Sequence, residues 1–299
     1  MAGPIMFFVL LFGMTACDEY VLYLCLQNIN HIGLFCLFHG LPNCFLGPLY
    51  PTSGTASSAI DDGSSPKITL LRPFFYFGRT YNSIYVNHNG HLTFDAPWYS
   101  YVPQLIPMHG LRDIIAPFWT DLDNRGNGQI YYNQYTSGSV LQQATRDINQ
   151  YFPGLNFNAN WVFVATWFEV AYYPTSGTRT TVQAVLISGG QYSFVLMNYG
   201  IIASTTLRIQ AGYDTIGSTH YYVLPGSFTS AASGSNSNFR LSSNVNEPGR
   251  WAFRTDHGST GCTFNGKTCG TRPLGGGVEP LQGGGSVANL ATLSLYLYI

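Results

Sequence analysis

Between residues 67 and 256 the apolar positions recur with the period of strands. TVQAVLISGGQYSFVLMNYG (181–200) reads as two strands around Ser188-Gly189-Gly190, a hairpin signal. SIYVNHNGHLTF (83–94) repeats the design with its turn at Asn89-Gly90. In TTLRIQAGY (205–213), Leu207, Ile209, Ala211 and Tyr213 fall on one face and Thr206, Arg208 and Gln210 on the other, which predicts a half-buried strand. WVFVATWFEVAYY (161–173) is apolar on both faces from Trp161 to Phe168 and belongs mid-sheet, covered on both sides. One segment changes period. In SVLQQATRDINQ (139–150), Ser139 and Gln142 have capping-box spacing, and Leu141, Ala144 and Ile148 share a helical face. The pattern predicts a mainly β fold: an antiparallel β-sandwich with one covering α-helix over about 140–150, and irregular N- and C-terminal extensions.

The ends depart from this rhythm. Residues 1–16, MAGPIMFFVLLFGMTA, have the apolar core and small residues of a secretory signal peptide, though not its basic start, and are read as one, with an uncleaved anchor as the alternative. Residues 17–50 are apolar but interrupted by Gln27, Asn28, Asn30 and His31, a poor membrane helix. PTSGTASSAIDDGSSP (51–66) is a Ser/Gly/Pro linker, expected to be unstructured, and 257–299 is a Gly-rich irregular tail. Only 9% of residues are charged, against about 25% in an ordinary globular chain. Tyrosine (21) and phenylalanine (20) take up much of the difference, which suits pleated sheets. A net charge of −1 supplies no field for phosphates, so nucleic acid is not an expected partner.

Candidate chemistry centres on DIIAPFWTDLDNRGNGQIYY (113–132). Counted as a calcium loop from Asp121, Asp123 and Gly126 fit, but Arg125 takes position 5 and Tyr132 position 12, where a carboxylate must close the shell. It is not an EF-hand. A looser site from Asp121, Asp123 and Asn127 stands against a solvated turn at Asn124–Gly128; the turn is the reading adopted, with no metal assigned. His88 and His91 flank Asn89-Gly90 and are expected to be exposed. No nucleophile elbow, zinc-protease helix or phosphate-cradling loop occurs, so no catalytic, cofactor-binding or metal residue is named and no cofactor is expected. Four tryptophans (Trp119, Trp161, Trp167 and Trp251) lie in strand patterns. Trp98 is the best exposed candidate for sugar stacking, the basis of an alternative reading as a carbohydrate-binding module. Cys262 and Cys269 are placed to close a small disulfide loop after secretion, while no cysteine occurs in 67–256 and no Asn-x-Ser/Thr acceptor anywhere.

APFWTDLDNRGNGQIYY (116–132) resembles the signature of the NIDO family, the nidogen-like extracellular domain found in nidogen (entactin) and alpha-tectorin. IYVNHNGHLTF precedes it; LQQATRDI, WVFVATWFEVAYY, TVQAVLISGGQYSFVLMNYG, AGYD and RWAFRTD follow in the family's order, over about residues 67–256. The resemblance implies a secreted, non-enzymatic extracellular-matrix or cell-surface module acting in cell–matrix adhesion through protein–protein binding. Its partners are then matrix or cell-surface proteins, with a glycan as the alternative and membrane contact left open. It makes Asp121 and Asp123 structural members of the signature. No EGF-like array, sushi repeat or von Willebrand D-type segment is recognisable after residue 270, so functions carried by such modules are not transferred.

Overall fold

The computed structural model describes residues 48–174 and 177–256, together with the backbone of five short strands near the ends. Three of these, β1 (Phe7–Leu10), β2 (Leu22–Gln27) and β3 (Leu34–His39), form an antiparallel sheet. The predicted signal peptide and all six cysteines lie outside the residues whose side chains are described.

Two larger antiparallel sheets make the body. The first has the order β16-β13-β12-β11-β10-β4, built from β4 (Thr55–Ala56), β10 (Gln129–Tyr135), β11 (Trp161–Tyr172), β12 (Thr180–Gly189), β13 (Tyr192–Tyr199) and β16 (Arg250–Arg254), with β9 (Leu122–Asp123) also paired to β11. The second has the order β15-β14-β8-β7-β6-β5, from β5 (Ile68–Tyr76), β6 (Arg79–Asn87), β7 (His91–Thr93), β8 (Ile114–Trp119), β14 (Gln210–Asp214) and β15 (Tyr221–Val223). Both predicted hairpins are present, β12–β13 in register from Val182↔Tyr199 to Gly189↔Tyr192 and β6–β7 around Asn87↔His91. Strands β17 (Thr263–Phe264) and β18 (Lys267–Thr268) pair separately.

The period of two sorts the side chains into layers. Trp161, Phe163, Ala165 and Trp167 of β11 face the second sheet, where Phe74, Ile84 and Leu92 meet them in the main core. The alternate residues Val162 and Val164 face α1 (Ser139–Tyr151), which lays Val140, Ala144 and Ile148 against them. β11 is therefore covered on both sides, as its unbroken apolar run requires. A third layer lies outside the second sheet, where the segment 95–112 folds Trp98 and Met108 over Ile114, Ala116 and Trp119.

Three local expectations change. No capping box forms: Gly138 (φ +89°) occupies the N-cap, so Ser139 is already helical and its hydroxyl is one position too late to cap. The strand predicted over 205–213 begins only at Gln210, and Gln210 is buried rather than solvent-facing because the 95–112 segment covers it and Ile106 N donates to its Oε1 at 3.3 Å. The Ser/Gly/Pro stretch 51–66 is ordered along the body: β4 pairs with β10, and Ser57 N donates to the Ile130 carbonyl at 2.8 Å. No described helix is long and apolar enough to cross a membrane.

Candidate functional site

The segment 55–65, hereafter the strap, crosses the signature turn 121–128 and is fastened to it by polar contacts. Gln129 Nε2 donates to the Ser57 carbonyl (2.7 Å), Asn124 Nδ2 to the Ser58 carbonyl (3.1 Å) and Asn89 Nδ2 to Asp62 Oδ1 (2.8 Å). His88 sits beneath, with Nε2 2.7 Å from Ser57 Oγ and Nδ1 2.8 Å from the Ile60 carbonyl. His88 and His91 are both fully buried, which corrects the expectation of exposed turn residues: the strap covers one, and Trp98 and Trp119 pack on the other. Gly90 is why the turn can sit this deep. Its φ is +79°, and a Cβ there would stand 1.9 Å from the Phe118 carbonyl oxygen.

The acidic residues of the turn separate in space. Asp123 is held by Arg125, whose Nε and Nη2 reach it at 2.9 and 2.8 Å; those hydrogen bonds keep its carboxyl below the usual range. Arg125 Nη2 also reaches Asp61 Oδ2 at 2.8 Å. Asp121 turns instead toward the strap, where one carboxylate oxygen each from Asp61, Asp62 and Asp121 lie within 4.8 Å of one another. Burial first, then repulsion from Asp62 and Asp61, pushes the Asp121 carboxyl up to about 6. The third member of the looser site, Asn127, is committed elsewhere. Its amide donates to the Glu169 and Thr178 carbonyls (2.7 and 2.9 Å), and its oxygen accepts from Gly177 N (2.7 Å), which fixes the turn on the β11 bulge. Sequence reading missed Asp61 and Asp62 because they stand in a stretch with no periodicity.

On the outer face of the second sheet, the segment 95–112 borders a groove of about 380 Å³ lined by Asp95, Trp98, Met108 and Arg112. The segment is pinned along its length. Trp98 N donates to Asn87 Oδ1 (2.8 Å), Trp119 Nε1 to the Ser100 carbonyl (2.8 Å), Met108 N to Asp214 Oδ2 (2.7 Å) and His109 N to Ser218 Oγ (2.8 Å). Burial raises the Asp214 carboxyl. Trp98 is half-buried: Trp119 packs 4.6 Å from its ring and the Arg112 guanidinium lies 4.9 Å over it. Next to it the segment exposes Tyr99, Tyr101, Val102, Leu105 and Leu111, the last 87% accessible. The other four tryptophans are buried, as their strand positions imply.

Residues 82–257 match the family model described as Nidogen-like domain (NIDO). Alpha-tectorin of Mus musculus is 38% identical over 242 residues, covering 73% of this chain and 11% of that protein. Nidogen-1 of Mus musculus is 34% identical over 165 residues (52% and 13%), and Dendrite extension defective protein 1 of Caenorhabditis elegans is 30% identical over 178 (57% and 15%). The chain thus spans only a small fraction of the length of these relatives. No solved structure matches it. With the signature turn inside the match over 82–257 and alpha-tectorin 38% identical, this chain belongs to the NIDO family.

Proposed function

We propose that this chain is a secreted, non-enzymatic module of the extracellular matrix or cell surface that acts in cell–matrix adhesion by binding other proteins. The family match supports the setting. The observation that carries the binding role is the set of apolar side chains Tyr99, Tyr101, Val102, Leu105 and Leu111, all exposed on one segment whose backbone is hydrogen-bonded to the body beneath. Apolar side chains exposed on a loop that a rigid scaffold holds in place are a usual form of protein contact site, since little entropy is lost when a partner covers them. The buried ionisable groups beneath it serve as ties: Asp113 accepts from Tyr81 Oη and Ile216 N, and Asp214 from Met108 N and Ser218 Oγ.

The test is adhesion of cells to the immobilised full chain. Leu105→Asp combined with Leu111→Asp should lower adhesion at least about fivefold, as loss of an apolar contact centre does, with the melting temperature unchanged. Undiminished adhesion by that variant would remove this surface from the function. Glycan-array binding abolished by Trp98→Ala would replace the protein-binding reading with the carbohydrate one.

A further inference from the structure

The seam between strap and signature turn holds more negative charge than its own cation balances. Asp61, Asp62, Asp121 and Asp123 meet there, and Arg125, half exposed, is bonded among the described residues to Asp61 and Asp123. One oxygen from each of Asp61, Asp62 and Asp121 falls within a 4.8 Å span. Two oxygens bonded to one calcium ion at 2.3–2.6 Å stand at most about 4.6–5.2 Å apart, and all three pairwise separations here fall within that limit.

A second observation points the same way. Asn124 is 4% exposed, its amide is spent on the Ser58 carbonyl of the strap, and its Oδ1 is shut off from water with no hydrogen-bond partner among the described residues. Its side chain bridges turn and strap, so the oxygen is buried at their junction. Oδ1 of Asp61 is also buried, with no donor among the described residues. Buried acceptors are rarely left orphaned, and a set made only of acceptors is satisfied by a cation rather than by further hydrogen bonds. Every available donor is oxygen, and His88 is already engaged by Ser57 and Ile60, which selects a hard cation over a transition metal.

We propose that Asp61, Asp62 and Asp121, together with the side-chain oxygen of Asn124, bind a calcium ion that fastens the strap to the signature turn, water completing the shell. This stands apart from the adhesive reading and from the 97–111 surface. The ion would join segments some sixty positions apart in the chain, 61–62 and 121–124. The expected dissociation constant is that of extracellular calcium modules, about 10⁻⁴–10⁻³ M.

The full chain, stripped with chelator, is titrated with calcium chloride by calorimetry and melted with and without the ion. Binding in that range and a higher melting temperature with calcium than with equal magnesium are expected. Asp121→Asn should raise the melting temperature of the chelated protein, because a repelling charge is gone, and should weaken calcium binding at least tenfold. Asp62→Asn, which can keep its bond to Asn89, serves as a second variant should Asp121→Asn fail to fold. Asp95→Asn, in the groove on the second sheet, should bind as the parent does. No heat and no thermal shift up to about 10 mM calcium, a full shift retained in both seam variants, or equal weakening by Asp95→Asn would each overturn the site.

Discussion

His91 shows how opposing effects on one side chain are decided. Its two ring nitrogens face the carbonyls of Asn89 (3.3 Å) and Trp98 (3.1 Å), an arrangement that favours the imidazolium. Full burial opposes it more strongly, with Arg112 adding to the same side, and lowers the group to about 4 from an ordinary 6.5. Above pH 6.5 folded and unfolded chains both hold a neutral ring. As pH falls toward 4 the unfolded chain takes up the proton first, so stability declines through that window. The expected loss is about 2 kcal/mol between pH 7 and 4.5. Urea unfolding at the two pH values measures it, and His91→Gln should show a smaller drop. None of this was visible in the sequence, where a histidine next to Asn-Gly reads as a surface residue. The contacts that bury it come from Trp98 and Trp119, brought over by the loop and by β8.

At the scale of elements, α1 is held to its sheet by more than its apolar stripe. Asp147 accepts from Arg250 Nη1 (2.7 Å) and Tyr50 Oη (2.8 Å), while Arg250 also donates to Tyr151 Oη (2.8 Å), Asn198 Oδ1 (2.9 Å) and the Pro48 carbonyl. Helix, sheet and the entry of the chain thus share one guanidinium whose side chain is 5% exposed. Arg250→Met strands the Asp147 carboxylate and should cost about 3–5 kcal/mol in chemical denaturation. Adding Asp147→Leu should recover part of that loss, because removing both charges leaves none unpaired. The helix itself was legible: Ala144 and Ile148 are buried on the face its period predicts, and Leu141 packs partly buried beside them. The capping box was not, since a side-chain spacing cannot say which residue opens the first turn.

For the whole molecule, the decisive finding is that the folded body takes in residues ahead of 67. Tyr50 is 2% exposed, its backbone exchanges hydrogen bonds with the Gln183 amide (2.8 and 3.0 Å), and the strap supplies β4. We predict that a chain starting at residue 67 melts roughly 5–10 °C lower than one starting at 48. Burying one tyrosine contributes about 2–3 kcal/mol, and each kcal/mol is worth about 2–4 °C at this size. An unchanged melting curve would make the strap an accessory and return the boundary to 67.

The sequence by itself determined the doubly covered strand β11, both hairpins, the helical face and the NIDO signature, because those rest on neighbours one to four positions away and on local turn chemistry. Only the tertiary structure decided that His88 and His91 are buried, that Gln210 faces protein, and that Asp121 meets Asp61 and Asp62 while Asn127 turns away. Those outcomes depend on which distant segment lies across each sheet face. The layering of the strap and of segment 95–112 over the two sheets sets that, and no local period encodes it.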